Sequence, residues 1–436
     1  MGMSKNLLEA LNSKSLTVAV IGQGYVGLPL AVEVIKSGFH CIGLDVDPEK
    51  VAGLNRGESH IIDVSDADVK ELVDTGRYRA TASYEDLKDA DVISICVPTP
   101  LRKTRDPDVS YIQASVEAMR PHLKKSGVLV ILESTTYPGT TEELVAQELA
   151  SEDLVLDKNL FVAFSPERVD PGNAHYGLKN TPKVVGGVTP KSTELVEKFY
   201  SQVVDHVHAV RGAREAEMVK LLENTFRAVN IALVNEMAMM ADRMGIYTWD
   251  VIEAAATKPF GYMPFFPGPG IGGHCIPLDP TYLSWKAKSY GFYNRFIELA
   301  TDINGNMPRF LVNKLVRALN ERGVALKGAK ILLLGMAYKP NINDVRESPA
   351  LDVWQLLHTE WGADVRYHDP FVDHVDDHGI KAKSVALTKE ALEASHAVIV
   401  VTNHRDVDYD FVIKHSRLVF DARHAIKGEH PNVQSL

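Results

Sequence analysis

The chain has 436 residues, 45% hydrophobic and 24% charged, which is typical of a globular protein with two or three domains. Its net charge of −10 argues against surfaces that bind nucleic acid or an anionic bilayer, because both partners would be repelled. The three cysteines form no paired framework, no signal peptide is recognisable and no apolar run reaches the roughly 18 residues of a membrane helix, so we expect a cytoplasmic protein.

The first half of the chain alternates short apolar runs with helical patterns. The apolar runs lack polar alternation, as expected for strands of a parallel sheet that is covered on both faces. Strands are predicted at 16–21, 41–45, 92–97, 128–132, 160–164 and 183–187, and helices at 29–37, 111–123 and 192–204. The pattern predicts a doubly wound α/β domain over residues 1–207.

A G-x-G-x-x-G turn at 22–27 follows the first predicted strand and opens a helix. Such glycines permit a tight turn and let a pyrophosphate approach the helix N-terminus closely, and the flanking strand and helix disfavour a turn without a ligand. The second strand ends at Asp45, whose carboxylate would meet an adenosine ribose and repel the 2′-phosphate of NADP, so NAD is the predicted cofactor. Lys50 is either a further contact or a solvated lysine. The predicted cofactor contacts from this region are Gly22, Gln23, Gly24, Tyr25, Val26, Asp45, Lys50, Pro98 and Thr99.

Residues 213–244 contain neither proline nor glycine and predict one long helix of about 45 Å. We expect this helix either to bridge two domains or to support a dimer interface. Glu217, Lys220 and Asn224 share one of its faces among apolar neighbours. This stripe is either solvated or directed into a site, and Asn224 favours a site because asparagine is a poor helix former. With a further helix at 302–320, the pattern predicts a central helical domain over residues 208–325.

Cys275 lies in the loop 272–277, of sequence Gly-Gly-His-Cys-Ile-Pro, after a run of Phe, Pro and Gly at 265–270. This composition forms neither a helix nor a central strand, so the thiol is predicted to be presented as a nucleophile. The ordinary alternative for a free cysteine is a small buried hydrophobe. That alternative fits Cys41 and Cys96, which lie in apolar, strand-like runs.

A second α/β unit follows the helical region. Strands are predicted at 330–334, 364–368, 397–402 and 418–420, with a helix at 350–361. We therefore predict a second Rossmann-like domain over residues 326–436.

Six motifs in this order resemble those of the UDP-glucose/GDP-mannose dehydrogenases, NAD-dependent four-electron nucleotide-sugar dehydrogenases. They are the glycine turn, Glu-Ser-Thr-Thr-Tyr-Pro at 133–138, Ser-Pro-Glu-Arg at 165–168, Ala216-Glu217 with Lys220 and Asn224, the Gly-Gly-His-Cys loop with Asp279, and Tyr-Lys-Pro at 338–340 with Asp-Val-Arg-Glu-Ser at 344–348. The resemblance spans about residues 16–425. It implies an NAD-binding domain, a central helical dimerisation domain and a nucleotide-sugar-binding domain.

The resemblance also implies roles for single residues. Cys275 would be the nucleophile, Lys220 would stabilise oxyanions with Asn224 beside it, and Asp279 would hold Lys220 and a water. Glu167 would serve in thioester hydrolysis, where Thr136 positions the water. The implied substrate contacts are Glu167, Arg168, Lys220, Asn224, Gly272, Lys339 and Arg423, and the further cofactor contacts are Thr136 and Arg346; no metal is expected.

The expected reaction converts the C6 alcohol of a UDP-sugar to a carboxylate through a thiohemiacetal and a thioester on Cys275. The run 165–173 resembles the branch that acts on UDP-N-acetylhexosamines. We expect UDP-N-acetylglucosamine as the substrate, for synthesis of a surface polysaccharide such as a lipopolysaccharide O-antigen, with UDP-N-acetylmannosamine as the alternative and UDP-glucose third. The aromatic loop 258–266 either shapes an acetamido pocket or only packs.

Three other classes of protein compete with this interpretation. A two-electron hydroxyacid dehydrogenase would share the first domain but need no thiol, and an epimerase would accumulate no NADH. A non-catalytic NAD sensor would not need the set Cys275, Lys220, Asn224 and Asp279. A homodimer or a higher homo-oligomer is expected.

Overall fold

The computed structural model describes residues 2–61, 63–102, 106–169, 173, 175–273 and 275–436. It divides into two compact units. The first comprises the chain up to residue 223 together with 285–290, and the second comprises 224–284 and 291–436.

The first unit is built on a twisted sheet. Its strands are β1 Thr17–Ile21, β2 His40–Leu44, β3 Tyr78–Thr81, β4 Val92–Ile95, β5 Val128–Leu132, β6 Leu160–Phe164, β7 Lys183–Gly187 and β8 Val207–Ala209. They lie in the order β3-β2-β1-β4-β5-β6-β7-β8, and β7 runs antiparallel to β6. The order reverses between β1 and β4, which is where doubly wound sheets open a ligand crevice at the carboxyl ends of their strands.

Helices cover both faces of this sheet. They are α1 Gly2–Asn12, α2 Gly27–Lys36, α3 Pro48–Asn55, α4 Asp66–Asp74, α5 Ser110–Met119, α6 Gln147–Leu149 and α7 Pro190–Tyr200, with short 3₁₀ segments at Tyr84–Asp89 and Arg120–His122 and a π-helical turn at Thr141–Ala146. Alternate residues of β1 enter different cores: Val18 and Val20 pack in one cluster, and Ala19 and Ile21 in the other. This two-sided burial explains why the strands are continuous apolar runs.

The second unit contains a helical region and a smaller sheet. Its helices are α8 Ala213–Met244, which begins in the first unit, α9 Thr248–Ala256, α10 Asp279–Ser289, which ends in the first unit, α11 Arg295–Asn320, α12 Pro349–Gln355, α13 Lys389–Ala394 and α14 Tyr409–His415, with a π-helical turn at Leu356–Glu360. The strands are β9 Lys330–Leu334, β10 Asp364–His368, β11 His374–Asp377, β12 Ile380–Lys383, β13 Ala397–Val400, β14 Val419–Asp421 and β15 Val433–Ser435. The sheet order is β10-β9-β13-β14-β15, and β11 and β12 form a separate hairpin.

The predicted fold class, two Rossmann-like sheets and a helical region with one long helix, is confirmed. Helix α8 has the predicted bounds. It contributes residues to both units and so bridges them, which is one of the two alternatives that the sequence predicted. The predicted start of the helix at 302 is wrong, since α11 begins at Arg295. Its first turns expose Phe296 and Leu299 while they bury Ile297 and Ala300, so apolar residues occur on both faces and hide the helical period.

None of the helices among the described residues combines the length and the apolarity needed to cross a bilayer.

Candidate active site

The glycine turn after β1 is shaped by two of its three glycines. Gly22 has a φ of +90°, and a Cβ there would lie 2.7 Å from the carbonyl oxygen of Cys96. A Cβ on Gly27 would lie 1.8 Å from the carbonyl oxygen of Gly22. A Cβ on Gly24 would meet nothing within 4 Å. The protein's own packing therefore requires Gly22 and Gly27, whereas Gly24 leaves backbone open to the approach of a phosphate.

Asp45 directly follows β2, beside this turn, and is 8% exposed. Its Oδ2 accepts from the backbone N–H of Gln23 at 2.9 Å, and Oδ1 accepts from that of Asp47 at 3.0 Å. These two bonds fix the carboxylate at the mouth of the crevice, where the sequence predicts a ribose contact.

The remaining predicted cofactor residues differ in how they are placed. The Gln23 amide is fully buried, donates to the carbonyl of Val20 at 2.8 Å and accepts from the Tyr78 hydroxyl at 3.0 Å, so this side chain supports the turn from behind. Lys50 lies at the surface, 3.9 Å from a carboxylate oxygen of Asp47. Of the rest, Tyr25 and Pro98 are exposed, Val26 is half-buried at the start of α2, and Thr99 is buried.

The second sheet carries an acid at the corresponding position, because Asp369 follows β10 as Asp45 follows β2. Its Oδ2 accepts from the backbone N–H groups of Met336 and Ala337 at 2.7 and 3.1 Å, and lies 3.0 Å from Nε2 of His404. This carboxylate is fully buried and committed to the fold. Of the two Rossmann-like sheets, the first therefore offers the better acid for an adenosine ribose.

The first turns of α8 hold the loop after β5 at two points. Glu217 is 1% exposed and accepts from the backbone N–H groups of Gly139 and Thr141 at 2.6 and 2.8 Å, and from the Thr141 hydroxyl at 2.7 Å. Burial raises the pKa of Glu217 to about 7, against the lowering effect of these hydrogen bonds. Lys220 Nζ donates to Oγ1 of Thr135 at 2.6 Å. The alternative of a solvated stripe is therefore wrong for Glu217.

The neighbouring hydroxyls of this loop have different surroundings. Thr136 is buried, and its Oγ1 lies 2.6 Å from that of Thr140. Thr135 is half-buried and meets the lysine. The sequence comparison of motifs singled out Thr136 and gave Thr135 no role.

Glu167 follows β6 as an ionised carboxylate held from three sides. Its Oε1 accepts from the backbone N–H groups of Arg168 and Val169 at 2.7 and 2.6 Å, and its Oε2 lies 3.4 Å from Nζ of Lys183. Burial raises the pKa of Glu167, but the charge of Lys183, the backbone donors and the charge of Lys220 outweigh it and leave the pKa below its usual value.

Arg168, a predicted substrate contact, is paired within the first unit. Its guanidinium reaches both carboxylate oxygens of Glu223, at 3.3 Å from Nε and 2.6 Å from Nη2, and donates to the carbonyl of Pro182 at 2.6 Å. A substrate contact by Arg168 would share or replace these bonds.

In the second unit, Cys275 is exposed, whereas Cys41 and Cys96 are buried in the first as predicted. The carbonyl of Cys275 accepts from the backbone N–H groups of Leu278 and Asp279 at 3.2 and 2.8 Å, a turn that leads directly into α10. The predicted loop residue His274 lies outside the described residues. Among the chain's three thiols, Cys275 is the accessible nucleophile.

Two glycines seat the cysteine loop against the segment that follows β9. A Cβ on Gly272 would lie 2.6 Å from the carbonyl oxygen of Glu347, and one on Gly273, whose φ is +86°, would lie 2.7 Å from the ring of Tyr338. The N–H of Gly273 donates to the carbonyl of Arg346 at 3.1 Å. No larger side chain fits at either glycine, so their spacing fixes where the thiol stands.

Asn224 and Asp279 form a buried pair. Nδ2 of Asn224, on α8, donates to Oδ2 of Asp279, at the start of α10, at 2.6 Å. Asn224 is 8% exposed and Asp279 is 2% exposed. Asn224 is therefore buried rather than solvated, and its part in the site stays a prediction.

Arg423 lies next to the proline–glycine run that precedes the cysteine loop. Its Nε donates to the carbonyl of Val401 at 2.8 Å, and a Cβ on Gly268 would lie 2.6 Å from its Nη1. Burial lowers the pKa of Arg423 to about 10, so the guanidinium stays charged at neutral pH. Gly268 donates in turn to Oδ1 of Asn235 at 3.0 Å, and Nδ2 of Asn235 donates to Oδ1 of Asn304 at 2.9 Å.

Two other predicted ligand residues, Lys339 and Arg346, lie in the segment that follows β9. Arg346 makes a two-point contact with Asp344, at 3.0 Å from Nε and 2.6 Å from Nη2 to the same oxygen, Oδ2. Lys339 is half-buried. In the aromatic loop, Phe260, Tyr262 and Met263 are exposed, so packing does not account for them.

The chain matches family models over most of its length. Residues 16–204 match the NAD binding domain, 214–306 the central domain and 332–428 the UDP binding domain of one family. The chain belongs to the UDP-glucose/GDP-mannose dehydrogenase family. It is an NAD-dependent nucleotide-sugar dehydrogenase, with the NAD-binding domain in the first unit and the UDP-binding domain in the second.

Curated relatives and solved structures agree with this assignment. The chain is 36% identical over 419 residues to a UDP-N-acetyl-D-mannosamine dehydrogenase of Pyrococcus horikoshii, covering 94% of this chain and 96% of that protein. It is 38% identical over 372 residues to a UDP-N-acetyl-D-glucosamine 6-dehydrogenase of Pseudomonas aeruginosa, covering 84% and 86%. A solved structure of UDP-N-acetyl-D-mannosamine dehydrogenase from Pyrococcus horikoshii superposes with a TM-score of 0.87 at 34% identity, covering 96% of this chain and 99% of that one.

Several residues of the site were not singled out from the sequence. Thr135, Lys183, Asn235 and Asn304 all form buried or half-buried polar contacts with residues far away in the chain. Lys183 could have been found from the sequence, because it is a charged residue at the start of an otherwise apolar strand.

Proposed function

We propose that this dehydrogenase oxidises C6 of a UDP-N-acetylhexosamine, with UDP-N-acetylglucosamine as the preferred substrate and two NAD⁺ consumed per sugar. The observation that carries the proposal is the exposed thiol of Cys275, on a loop that two glycines seat against the UDP-binding domain. The relatives named above act on UDP-N-acetylhexosamines. UDP-N-acetylmannosamine is the alternative substrate, and UDP-glucose is third.

The residues divide the chemistry between them. The glycine turn would hold NAD⁺, with Asp45 at its ribose, and the bound cofactor would supply a hydride acceptor for each of the two oxidations. Lys220 stabilises negative charge on the C6 oxygen as the alcohol loses its proton to solvent water and its hydride to the cofactor. The Cys275 sulfur then attacks the resulting aldehyde carbon and forms a thiohemiacetal. This adduct loses its C6 hydrogen as the second hydride and its hydroxyl proton to solvent water to give a thioester.

Water completes the reaction. Its oxygen attacks the thioester carbon, the carbon–sulfur bond breaks and the uronate and the Cys275 thiolate are released. Glu167 or Asp279 takes the proton of the water, with Thr136 positioning it. Asn224 holds Asp279 through their 2.6 Å hydrogen bond. We assign the nucleotide-sugar contacts to Gly272, Lys339, Arg423 and Arg168, and a cofactor contact to Arg346.

The yield of NADH per sugar and the relative turnover of three UDP-sugars test this proposal. We expect two NADH per UDP-N-acetylglucosamine and a higher kcat/KM for it than for UDP-N-acetylmannosamine or UDP-glucose. One NADH per sugar would indicate a two-electron dehydrogenase, and none would indicate an epimerase. A clear preference for UDP-glucose would overturn the choice of sugar and leave the chemistry intact.

We further propose a homodimer, with domains at 1–207, 208–325 and 326–436. Apolar side chains on α8 are exposed at helical spacing, together with the first turns of α11: Phe226, Leu233, Met237, Met240, Met244, Phe296 and Leu299. A second copy would cover this face. Light scattering should give twice the chain mass, and Met240→Glu should reduce it; a native monomer would contradict the dimer.

We place the enzyme in the cytoplasm, where it supplies a uronic acid for a surface polysaccharide. A cytoplasmic location supplies both NAD⁺ and a reducing environment for the Cys275 thiol. Loss of the polysaccharide in a deletion strain, restored by the intact gene, tests the role.

A further inference from the structure

A buried lysine in the first unit holds two carboxylates, and the reaction above uses only one of them. Lys183 Nζ donates to Oε2 of Glu133 at 2.6 Å and lies 3.4 Å from Oε2 of Glu167. The other oxygen of Glu133 accepts from the Ser94 hydroxyl at 2.5 Å and from the Tyr200 hydroxyl. Lys183 is 3% exposed, and the Glu133 side chain is fully buried.

Each partner of this cluster comes from a different element. Glu133 follows β5, Lys183 opens β7 and Tyr200 ends α7, so the cluster ties the carboxyl end of the sheet to the helix behind it. The Lys183 ammonium also lies 5.1 Å from the centre of the Tyr200 ring. Both carboxylate oxygens of Glu133 have partners within the fold, so this carboxylate is not itself available to a substrate.

Glu167 has two cations beside it, Lys183 and Lys220, and it shares Lys183 with Glu133. One ammonium faces two carboxylates, and Glu133 holds it at the shorter distance. The other groups that face Glu167 are Lys220 from α8 and the thiol of Cys96 after β4, besides the backbone donors after β6. A buried carboxylate that loses its cation takes up a proton at a higher pH.

We propose that Lys183 is a positioning residue that keeps Glu167 ionised and aimed for thioester hydrolysis, and that Glu133 sets how much of the lysine's charge Glu167 receives. The inference rests on the proposed function, in which Glu167 acts on the hydrolytic water. It gives Lys183 and Glu133 opposite effects on the ionisation of Glu167, which a purely structural salt bridge would not do.

The test is the pH profile of uronate release in single turnover, compared among Lys183→Met, Lys183→Arg and Glu133→Gln. The active form of Glu167 is ionised and is lost as pH falls through its pKa. Lys183→Met should therefore shift the acid limb to higher pH by about one unit or more, because buried Glu167 loses the ammonium beside it and keeps only the charge of Lys220. Lys183→Arg keeps the charge and should restore the native limb.

Glu133→Gln is the matched control with the opposite sign. It removes the competing carboxylate and keeps the shape, so the acid limb should move to lower pH. Glu167→Gln should abolish this limb, which would assign the limb to Glu167. An unshifted or upward-shifted limb in Glu133→Gln, or an unshifted limb in a folded Lys183→Met, would overturn the inference; if Lys183→Met does not fold, the sign of the shift in Glu133→Gln decides.

The first oxidation supplies a second readout. Lys183→Met should slow uronate release at least about tenfold at acidic pH, as a shift of one unit implies, while the first NADH forms at the native rate. The covalent adduct on Cys275 should then accumulate and be visible by intact mass. If native enzyme never forms that adduct, the proposed function fails; if the adduct forms but the pH limb does not move, only the role of Lys183 fails.

Discussion

Glu217 offers a test of whether burial or hydrogen bonding dominates at the base of the active-site helix. Burial raises its pKa from a usual 4.5 to about 7, although Gly139 and Thr141 supply three hydrogen bonds to it. At 1.36 kcal/mol per pKa unit this rise corresponds to about 3 kcal/mol. Because the folded state holds the proton more tightly, the free energy of unfolding should fall as pH rises between about 4.5 and 7.

The variant Glu217→Gln keeps the size of the side chain and removes its titration. Its unfolding free energy should lack the loss of about 3 kcal/mol over that pH window, so the difference between variant and native protein should change with pH. Urea or thermal unfolding across pH 4.5 to 8, with Glu217→Asp as a titratable control, measures it. A constant difference across the window would show that hydrogen bonding outweighs burial and keeps Glu217 ionised throughout.

Two further changes follow from the packing of single residues. In Gly24→Ala the added Cβ meets nothing within 4 Å, so the free energy of unfolding should stay nearly unchanged while the Kd for NAD rises about tenfold or more. In Gly27→Ala the added Cβ would lie 1.8 Å from the Gly22 carbonyl oxygen, which should prevent folding. Equal destabilisation by both variants would contradict the roles assigned to the two glycines. Asn235→Ala removes the acceptor of the Gly268 N–H and should lower the free energy of unfolding by about 1–3 kcal/mol. The variant should raise KM for the UDP-sugar more than KM for NAD⁺, both measured from initial rates. A larger rise in KM for NAD⁺ would show that Asn235 does not support the loop that binds the sugar.

The sequence predicted the central strands well because burial on both faces leaves an unambiguous apolar run. Strand β5 at 128–132 and strand β9 at 330–334 have the predicted bounds. The edge strand β3 at 78–81 was not predicted, since Arg79 is exposed beside the buried Tyr78 and the run resembles a polar loop. The hairpin β11–β12 is similarly polar on its exposed face and was missed for the same reason.

The site was predictable where a motif demands a residue type, and not where a partner comes from far along the chain. The spacing of the glycines at 22, 24 and 27 identifies the glycine turn, and the loop composition around residue 275 identifies the thiol. Lys183 and Glu133 are separated by 50 residues, and nothing in either local sequence says that they meet. Likewise, nothing in the local sequence says that the Thr135 hydroxyl meets Lys220, 85 residues further along the chain.

We propose that Cys275 captures a C6 aldehyde between two hydride transfers. The yield of uronate and NADH from UDP-N-acetylglucosamine by Cys275→Ser, followed against native enzyme, tests this role. We expect native enzyme to give two NADH and one uronate per sugar, while the serine variant stalls at a covalent or aldehyde stage with at most one NADH. Uronate formation by Cys275→Ser at the native rate would contradict it.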